Sequence, residues 1–226
     1  MLEYFDLLKT EETTPSGNPK DRFHFTRDTA EYEAESQQGI TFGYGATYQL
    51  ISSSPPRELV IVLVNKNSPA ADAGLRRGDR IVTVDGVDLV DGSDTETLNS
   101  GLWPDRVDEE HSFEVLDPTT SEIRTVAMES AQINTDAVPK TQILETDSGP
   151  VGYLLFTDHI LTAEQQLVDA ITEMRDSNVT DLILDLRYNR GGYLYLANQI
   201  SYMIAGAGVS GRIFSSRPCS GILYYH

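Results

Sequence analysis

The chain has 226 residues, 39% hydrophobic and 23% charged, a composition typical of a globular protein with one large or two small domains. Its formal net charge of −18 predicts repulsion of nucleic acid and of anionic membrane surfaces, so neither is expected as a partner. No apolar run of about 18 residues occurs, so no membrane-spanning helix is predicted, and the acidic start does not resemble a secretory signal. One cysteine, Cys219, and four scattered histidines provide no ligand spacing, so we expect no metal site and no cofactor.

The first segment, residues 1–38, is polar and acidic. The stretches "MLEYFDLLK" and "DTAEYEAES" have helical patterns, and "TPSGNPKD" between them is predicted to be a loop because of its proline and glycine. We therefore predict a helical arm that packs on the rest of the molecule.

Residues 39–130 consist of short predicted strands separated by turns, which indicates a small β-rich domain. The stretch "FGYGATYQLI" is predicted to be one strand entered through two glycines, and "ELVIVLV" a buried strand. A one-turn helix follows, with Ser68 as its N-cap, Pro69 at its first position and Gly74 as its left-handed C-cap.

The rest of the β-rich domain also carries turn and cap signals. Asp85 and Gly86 predict a tight hairpin turn, and Asp94 predicts the start of a short helix. A closing hairpin is expected around Asp117 and Pro118. Residues 39–130 are thus predicted to form a unit of their own.

Residues 131–226 are predicted to begin with a connector, residues 131–150, and to continue as β-α-β. The stretch "VGYLLFT" is a strand, and Thr162 with Gln165 predicts a capping box. The predicted apolar faces of the two helices that follow contain Leu167, Val168, Ile171 and Met174 in the first and Leu196, Ala197, Ile200, Met203 and Ile204 in the second. Between them "DLILDLR" is apolar on both faces, as expected of a buried parallel strand. The fold class is therefore mixed α+β and α/β.

The stretch "NRGG" directly follows this strand, at the place where open α/β sheets bind ligands. A phosphate cradle requires a longer glycine motif, and no lysine follows Lys140, so a nucleotide site is disfavoured. An oxyanion hole and a simple tight turn both remain open. Asp158 and His159 are adjacent and are predicted to be ordinary surface residues rather than a catalytic pair. Ser210 does not stand in a nucleophile elbow because Gly211 follows it directly.

The stretch Phe42-Gly43-Tyr44-Gly45 is a candidate binding site. Its glycines would let successive backbone N–H groups converge into a nest that captures a carboxylate, and an extended peptide could then add as a strand along that edge. A glycine-softened β-bulge explains the same pattern equally well.

Two motifs carry a resemblance to a known family. The stretch "NSPAADAGLRRGDRIVTVDGVDL" is similar to the helix-turn-strand-hairpin of bacterial PDZ domains, and "DLILDLRYNRGGYL" resembles the catalytic-domain signature of the C-terminal processing peptidases, also called tail-specific proteases. The resemblance covers about residues 20–206 in the order of that family. It implies a circularly permuted PDZ-like domain followed by the β-α-β start of a protease domain.

The resemblance also implies a function. The family uses a serine nucleophile with a lysine base and cuts unstructured protein tails, whose C-termini the PDZ domain recognises. Phe42, Gly43, Tyr44 and Gly45 would then form the carboxylate-binding loop. Gly191 and Gly192 would match the motif that gives a backbone N–H to the oxyanion hole. Bacterial members work outside the cytoplasm, which implies the periplasm or cell envelope.

The catalytic serine and lysine are expected downstream of this chain. Only 34 residues follow Gly192, none of them is lysine, and Ser215, Ser216 and Ser220 do not resemble the nucleophile segment. We therefore expect a portion of a serine peptidase that is inactive as given. The alternative is a non-catalytic peptide-binding protein that keeps the PDZ site. The sequence leaves the oligomeric state open.

Overall fold

The computed structural model describes residues 5, 7–21, 26 and 28–212. Within these residues the protein is mixed α/β, as predicted. The strands are β1 Ile40–Gly43, β2 Ala46–Ser52, β3 Glu58–Val64, β4 Arg80–Val84, β5 Val87–Asp88, β6 Glu110–Leu116, β7 Ile123–Glu129, β8 Ala131–Asn134, β9 Lys140–Thr146, β10 Gly149–Leu155 and β11 Asp181–Asp185. The helices are α1 Thr29–Glu33, α2 Pro69–Asp72, α3 Thr95–Leu102, α4 Ala163–Asp176 and α5 Leu194–Ala205, with a π-helical turn at Ala34–Gln38 and a 3₁₀ turn at Ala207–Val209. None of the described helices is both long and apolar enough to cross a membrane.

The N-terminal arm is helical only in its second part. The Asp28 carboxylate accepts hydrogen bonds from the first N–H groups of α1, and the helix continues into the π-helical turn, which confirms the second predicted helix. The first predicted helix falls mostly on residues 1–4 and 6, outside the described residues, and residues 7–9 form a turn. The arm meets the second half of the molecule where the Leu161 N–H donates to the Ser36 carbonyl over 3.0 Å.

The β-rich region contains a six-stranded antiparallel sheet in the order β2-β3-β4-β6-β7, with β5 paired to β4. Its predicted local signals are confirmed. The Ser68 hydroxyl accepts from the Ala71 N–H at 3.3 Å, and Gly74 has a φ of +71° just past α2. Asp85 and Gly86 both have positive φ, 50° and 78°, as a two-residue hairpin turn requires.

Two predictions of strand extent are wrong. The single strand predicted at "FGYGATYQLI" is two strands, since β1 ends at Gly43 and β2 begins at Ala46. The predicted connector contains β8, which pairs with β1, and β9, which pairs with β10. These strands are fixed by pairing with partners elsewhere in the chain, and most side chains of β9 are exposed, so the local pattern does not reveal them.

The second half contains a three-stranded sheet in the order β11-β10-β9. Strands β10 and β11 are parallel and are joined through α4, which confirms the predicted β-α-β unit. The predicted capping box is wrong, because the Thr162 side chain makes no cap hydrogen bond and the Gln165 amide donates to Asp169 instead. Val168 is exposed, and the buried residues of α4 are Ala163, Leu167, Ala170 and Met174.

The prediction that β11 is buried on both faces is also wrong. Leu182 and Leu184 pack against the core, but the Ile183 side chain on the opposite face is 48% exposed. Strand β11 lies at the edge of its sheet, and its exposed and partly buried side chains alternate along the strand. In α5, Leu196 and Ile200 are buried, whereas Ile204 is exposed.

Each half has its own hydrophobic core. The core of the β-rich region consists of Tyr44, Leu59, Ile61, Ala70, Leu75, Ile81, Val84, Leu89, Leu98, Leu102, Phe113, Val115 and Met128. The core of the second half consists of Ala137, Val138, Leu154, Phe156, Ile160, Ala163, Leu167, Ala170, Met174, Leu196 and Ile200. The predicted unit boundaries at 38/39 and 130/131 remain predictions.

Candidate functional site

The loop between β1 and β2 is held in place by the side chain of Tyr44. Its ring is 3% exposed and meets the Phe113 ring edge-on at 5.3 Å, and its hydroxyl donates to the Gly101 carbonyl of α3 at 2.9 Å. Burial raises the pKa of this phenol, so it stays a hydrogen-bond donor at neutral pH. The Tyr44 carbonyl accepts from the Ala70 N–H at 2.9 Å, which also ties the loop to α2.

The glycines of this loop have separate roles. Gly43 has a φ of +132° with open space around it, and Gly45 has a φ of +76°. A Cβ on Gly45 would overlap the Ser68 side chain at the start of α2. Among the described residues, no acceptor is bound by the N–H of Tyr44 or of Gly45. The loop therefore offers two backbone donors to a ligand.

Strand β2 continues from this loop along the edge of the six-stranded sheet, so its outer edge has no strand partner within the described chain. Tyr48 of β2 and Trp103, just past α3, face each other edge-to-face with ring centroids 6.4 Å apart. The buried Tyr48 hydroxyl has no hydrogen-bond partner among the described residues, and burial raises its pKa. An aromatic groove between β2 and α3 thus begins at the glycine loop.

The turn after β11 is tied closely to the segment that follows β10. The Asn189 amide donates to the Phe156 carbonyl at 3.1 Å, and the Arg190 N–H donates to the Thr157 carbonyl at 2.9 Å. The His159 N–H donates to the Gly191 carbonyl at 2.8 Å. The carboxyl ends of two parallel strands are thereby joined into one rigid structure.

The glycine pair in this turn is asymmetric. The Gly191 N–H donates to the Asn189 side-chain oxygen at 2.9 Å, and a Cβ on Gly191 would meet open space. The Gly192 N–H has no acceptor among the described residues, but a Cβ there would overlap the His159 carbonyl oxygen. Of the two N–H groups that were predicted to serve an oxyanion hole, only that of Gly192 is available. Their catalytic role remains a prediction.

Asp158 and His159 are not the ordinary surface residues that the sequence predicts. Asp158 is 6% exposed, and its carboxylate accepts from the Arg190 Nε at 2.8 Å. The His159 ring lies 4.5 Å from the Phe156 ring, its Nδ1 is buried without a partner, and burial lowers its pKa. The prediction failed because the segment after β10 pairs with the distant turn at Tyr188–Gly192, where Arg190 contacts Asp158 and the glycine backbone contacts His159.

One cavity of about 340 Å³ connects the glycine loop with this turn. From the β-rich half it is lined by Phe42, Gly43, Tyr44, Gly45, Tyr48, Leu102 and Trp103, and from the second half by Asp136, Thr157, Asp158, Tyr188 and Arg190, among others. Gly191 and Gly192 do not line it but follow Arg190 directly. The guanidinium carbon of Arg77 lies 5.3 Å from the centroid of the Tyr188 ring, and this is a further contact between the halves. The two sites predicted separately are therefore neighbours.

Sequence reasoning missed Asp158, Tyr188 and Arg190 as site residues. A usable signal existed, because Asp158 and Arg190 each follow a strand of one parallel pair, and the carboxyl ends of such strands meet at one edge. The described residues contain no cluster of three metal-binding side chains.

Comparison with known proteins gives a family match in each half of the chain. Residues 60–98 match the model of the PDZ domain, and residues 150–217 match that of peptidase family S41. Carboxyl-terminal-processing peptidase 2 of Arabidopsis thaliana chloroplasts is 27% identical over 187 residues, which are 80% of this chain and 35% of that protein. The chain is similar to the carboxyl-terminal processing peptidases over most of its length.

Other proteins of this kind show the same similarity. The carboxy-terminal processing protease CtpB of Bacillus subtilis is 24% identical over 179 residues, covering 78% of this chain and 35% of that protein. The solved photosystem II D1 C-terminal processing protease has the same fold, with a TM-score of 0.50, 22% identity, and coverage of 74% of this chain and 43% of that one. The chain thus spans about a third of the length of the curated relatives, which are bacterial or chloroplast proteins.

Proposed function

We propose that this chain is the substrate-recognising portion of a serine-type peptidase that acts on the C-terminal tails of unstructured proteins. The observation that carries the proposal is the shared cavity, which joins the free N–H groups of Tyr44 and Gly45 to the turn that ends in the S41 glycine pair. A peptide would add as a strand along β2, with its terminal carboxylate in the glycine loop.

Binding can be followed by intrinsic fluorescence, because Trp103 is the one tryptophan of the sequence and it lines the cavity. An unstructured peptide with apolar terminal residues is titrated as its free acid and as its C-terminal amide. We expect the acid to bind more tightly, since a charged carboxylate accepts stronger hydrogen bonds from the two backbone N–H groups than a neutral amide does. Equal affinities would remove the glycine loop from the proposal.

The catalytic part of the proposal concerns the serine and lysine expected outside this chain. The 226-residue polypeptide has no lysine after Lys140 and should not cleave casein, whereas the product of the complete natural gene should cleave it. Cleavage by the 226-residue chain that a serine reagent abolishes would contradict this division. Absence of cleavage by both would favour the alternative, a non-catalytic peptide-binding protein.

The Gly192 N–H is the backbone donor that we assign to the oxyanion hole of the complete enzyme. A donor of this kind contributes roughly 10²–10³ in rate.

We also propose a location in the periplasm or cell envelope, which fractionation of cells and immunoblotting would test. Recovery of the protein with the cytoplasmic fraction alone would contradict it.

A further inference from the structure

The shared cavity has an unfavourable charge for the ligand proposed above. Three charged side chains are among the described lining residues, namely Asp136, Asp158 and Arg190. The Asp136 carboxylate accepts from the Val138 N–H at 3.0 Å and adds negative charge to the wall. A carboxylate entering from solvent would meet two like charges, on a chain whose net charge is −18. Arg190 is the sole cation among these lining residues.

Arg190 has hydrogen-bonding capacity to spare. Its Nε donates to the Asp158 carboxylate at 2.8 Å, and its two terminal nitrogens have no acceptor among the described residues. Its side chain is 60% exposed, while that of Asp158 is 9% exposed. The buried carboxylate therefore fixes the guanidinium from one side and leaves the outer fork open.

We propose that Arg190 is the second anchor for the terminal carboxylate of the bound peptide. The N–H groups of Tyr44 and Gly45 would hold that carboxylate from the β-rich half, and the free fork of Arg190 would hold it from the second half. A planar guanidinium matches a carboxylate with two parallel hydrogen bonds, and the added positive charge offsets Asp136. This inference rests on the proposed peptide-binding function of the glycine loop.

The assignment makes terminal-carboxylate recognition a property of both halves. Arg190 directly precedes Gly191 and Gly192 in the chain, so the carboxylate would contact the same turn that carries the predicted oxyanion donor. A ligand that lacks the carboxylate could still fill the aromatic groove between Tyr48 and Trp103. It would do so without contacting the second half through Arg190.

The test uses the full 226-residue chain and the acid and amide forms of one peptide, with Trp103 fluorescence as readout. In Arg190→Gln we expect the preference for the acid to fall on the order of tenfold, with little change for the amide, because a charge-assisted hydrogen bond is lost. The matched control is Arg187→Gln. Arg187 also has a side chain that is 60% exposed and paired to a buried aspartate, Asp185, but it does not line the cavity. The control should keep the wild-type preference.

A second variant tests the two parallel hydrogen bonds. Arg190→Lys keeps the positive charge beside Asp158 but cannot make two parallel hydrogen bonds to a carboxylate, so the preference for the acid should fall, though by less than in Arg190→Gln. This variant decides the question if Arg190→Gln does not fold, as judged by circular dichroism. An unchanged preference for the acid in Arg190→Lys would overturn the role of the guanidinium.

The two proposals fail in different ways. If the wild-type chain binds acid and amide equally, the glycine-loop function fails and the anchor fails with it. If the wild type prefers the acid and folded Arg190→Gln keeps the full preference, the anchor is overturned and the glycine-loop function stands. An equal loss for both peptide forms would also overturn the anchor, because it would show that Arg190 only maintains the shape of the cavity.

Discussion

The two sides of the cavity are built in different ways. The glycine loop depends on one buried side chain, that of Tyr44, and leaves its own N–H groups free. The turn at Tyr188–Gly192 donates hydrogen bonds to the carbonyls of Phe156 and Thr157 and accepts one from the His159 N–H. The comparison indicates that the loop presents donors to a ligand, whereas the turn keeps a few groups, above all the Arg190 fork and the Gly192 N–H, in fixed positions.

The largest effect is expected at Tyr44. Tyr44→Ala should lower the free energy of unfolding by about 3–5 kcal/mol, because it leaves a cavity beside Phe113 and an unpaired carbonyl at Gly101. Tyr44→Phe should cost about 1 kcal/mol, since it removes only the hydroxyl. Urea denaturation measures both values.

Phe42→Ala is the control for Tyr44. Phe42 lies two residues away and is 50% exposed, so its removal should change stability by about 0.5 kcal/mol or less. If Phe42→Ala and Tyr44→Ala had equal costs, the loop would not depend on the buried tyrosine and the contrast between the two sides would fail.

The next effect separates the two glycines of the turn. Gly192→Ala should cost about 2–4 kcal/mol, because a methyl group would overlap the His159 carbonyl oxygen and the φ of +130° disfavours any side chain. Gly191→Ala should lower the free energy of unfolding by only about 1–2 kcal/mol. Its Cβ would meet open space, so the strain comes from the φ of +79° alone.

Hydrogen exchange tests the same pair locally. The N–H groups of His159 and Tyr193 are both bonded across this contact, so Gly192→Ala should speed their exchange more than Gly191→Ala does. Equal exchange in the two variants would show that the turn is not closed by the backbone contact at Gly192.

What the sequence predicts well is local. The cap at Ser68, the turn at Asp85 and the helix start at Asp94 each depend on the chemistry of a few adjacent residues, and the structure confirms all three. The sequence also predicts the glycine loop and the glycine turn as separate candidates. Both contain glycines next to a predicted strand, and these glycines adopt the positive φ that favours this residue type.

What the sequence did not predict depends on distant partners. Strand β8 exists because it pairs with β1 some 90 positions earlier, and nothing in "AQIN" indicates that partner. The burial of Asp158 requires the turn that carries Arg190, about 30 residues later. The cavity itself joins the two halves, so no pattern within either half could have revealed it.

The smallest effect concerns the pH dependence of the turn. Burial lowers the pKa of the His159 imidazole below its ordinary value, because desolvation disfavours the protonated ring. A lowered pKa in the folded state means that the unfolded chain binds the proton more strongly. The stabilising contribution is therefore complete above the unfolded pKa, about 6.5, and is lost as the pH falls below it.

Between pH 7.5 and pH 5.5 the free energy of unfolding should thus decrease, and His159→Phe should remove the part of the decrease that belongs to this residue. Phenylalanine keeps the packing on Phe156 and cannot titrate. The difference between the two pH profiles isolates His159 from the other three histidines of the chain. Direct titration by NMR provides the decisive value, because an imidazole pKa above 6.5 would mean that the turn favours the protonated ring and that the rigid, desolvated setting inferred for this side of the cavity is wrong.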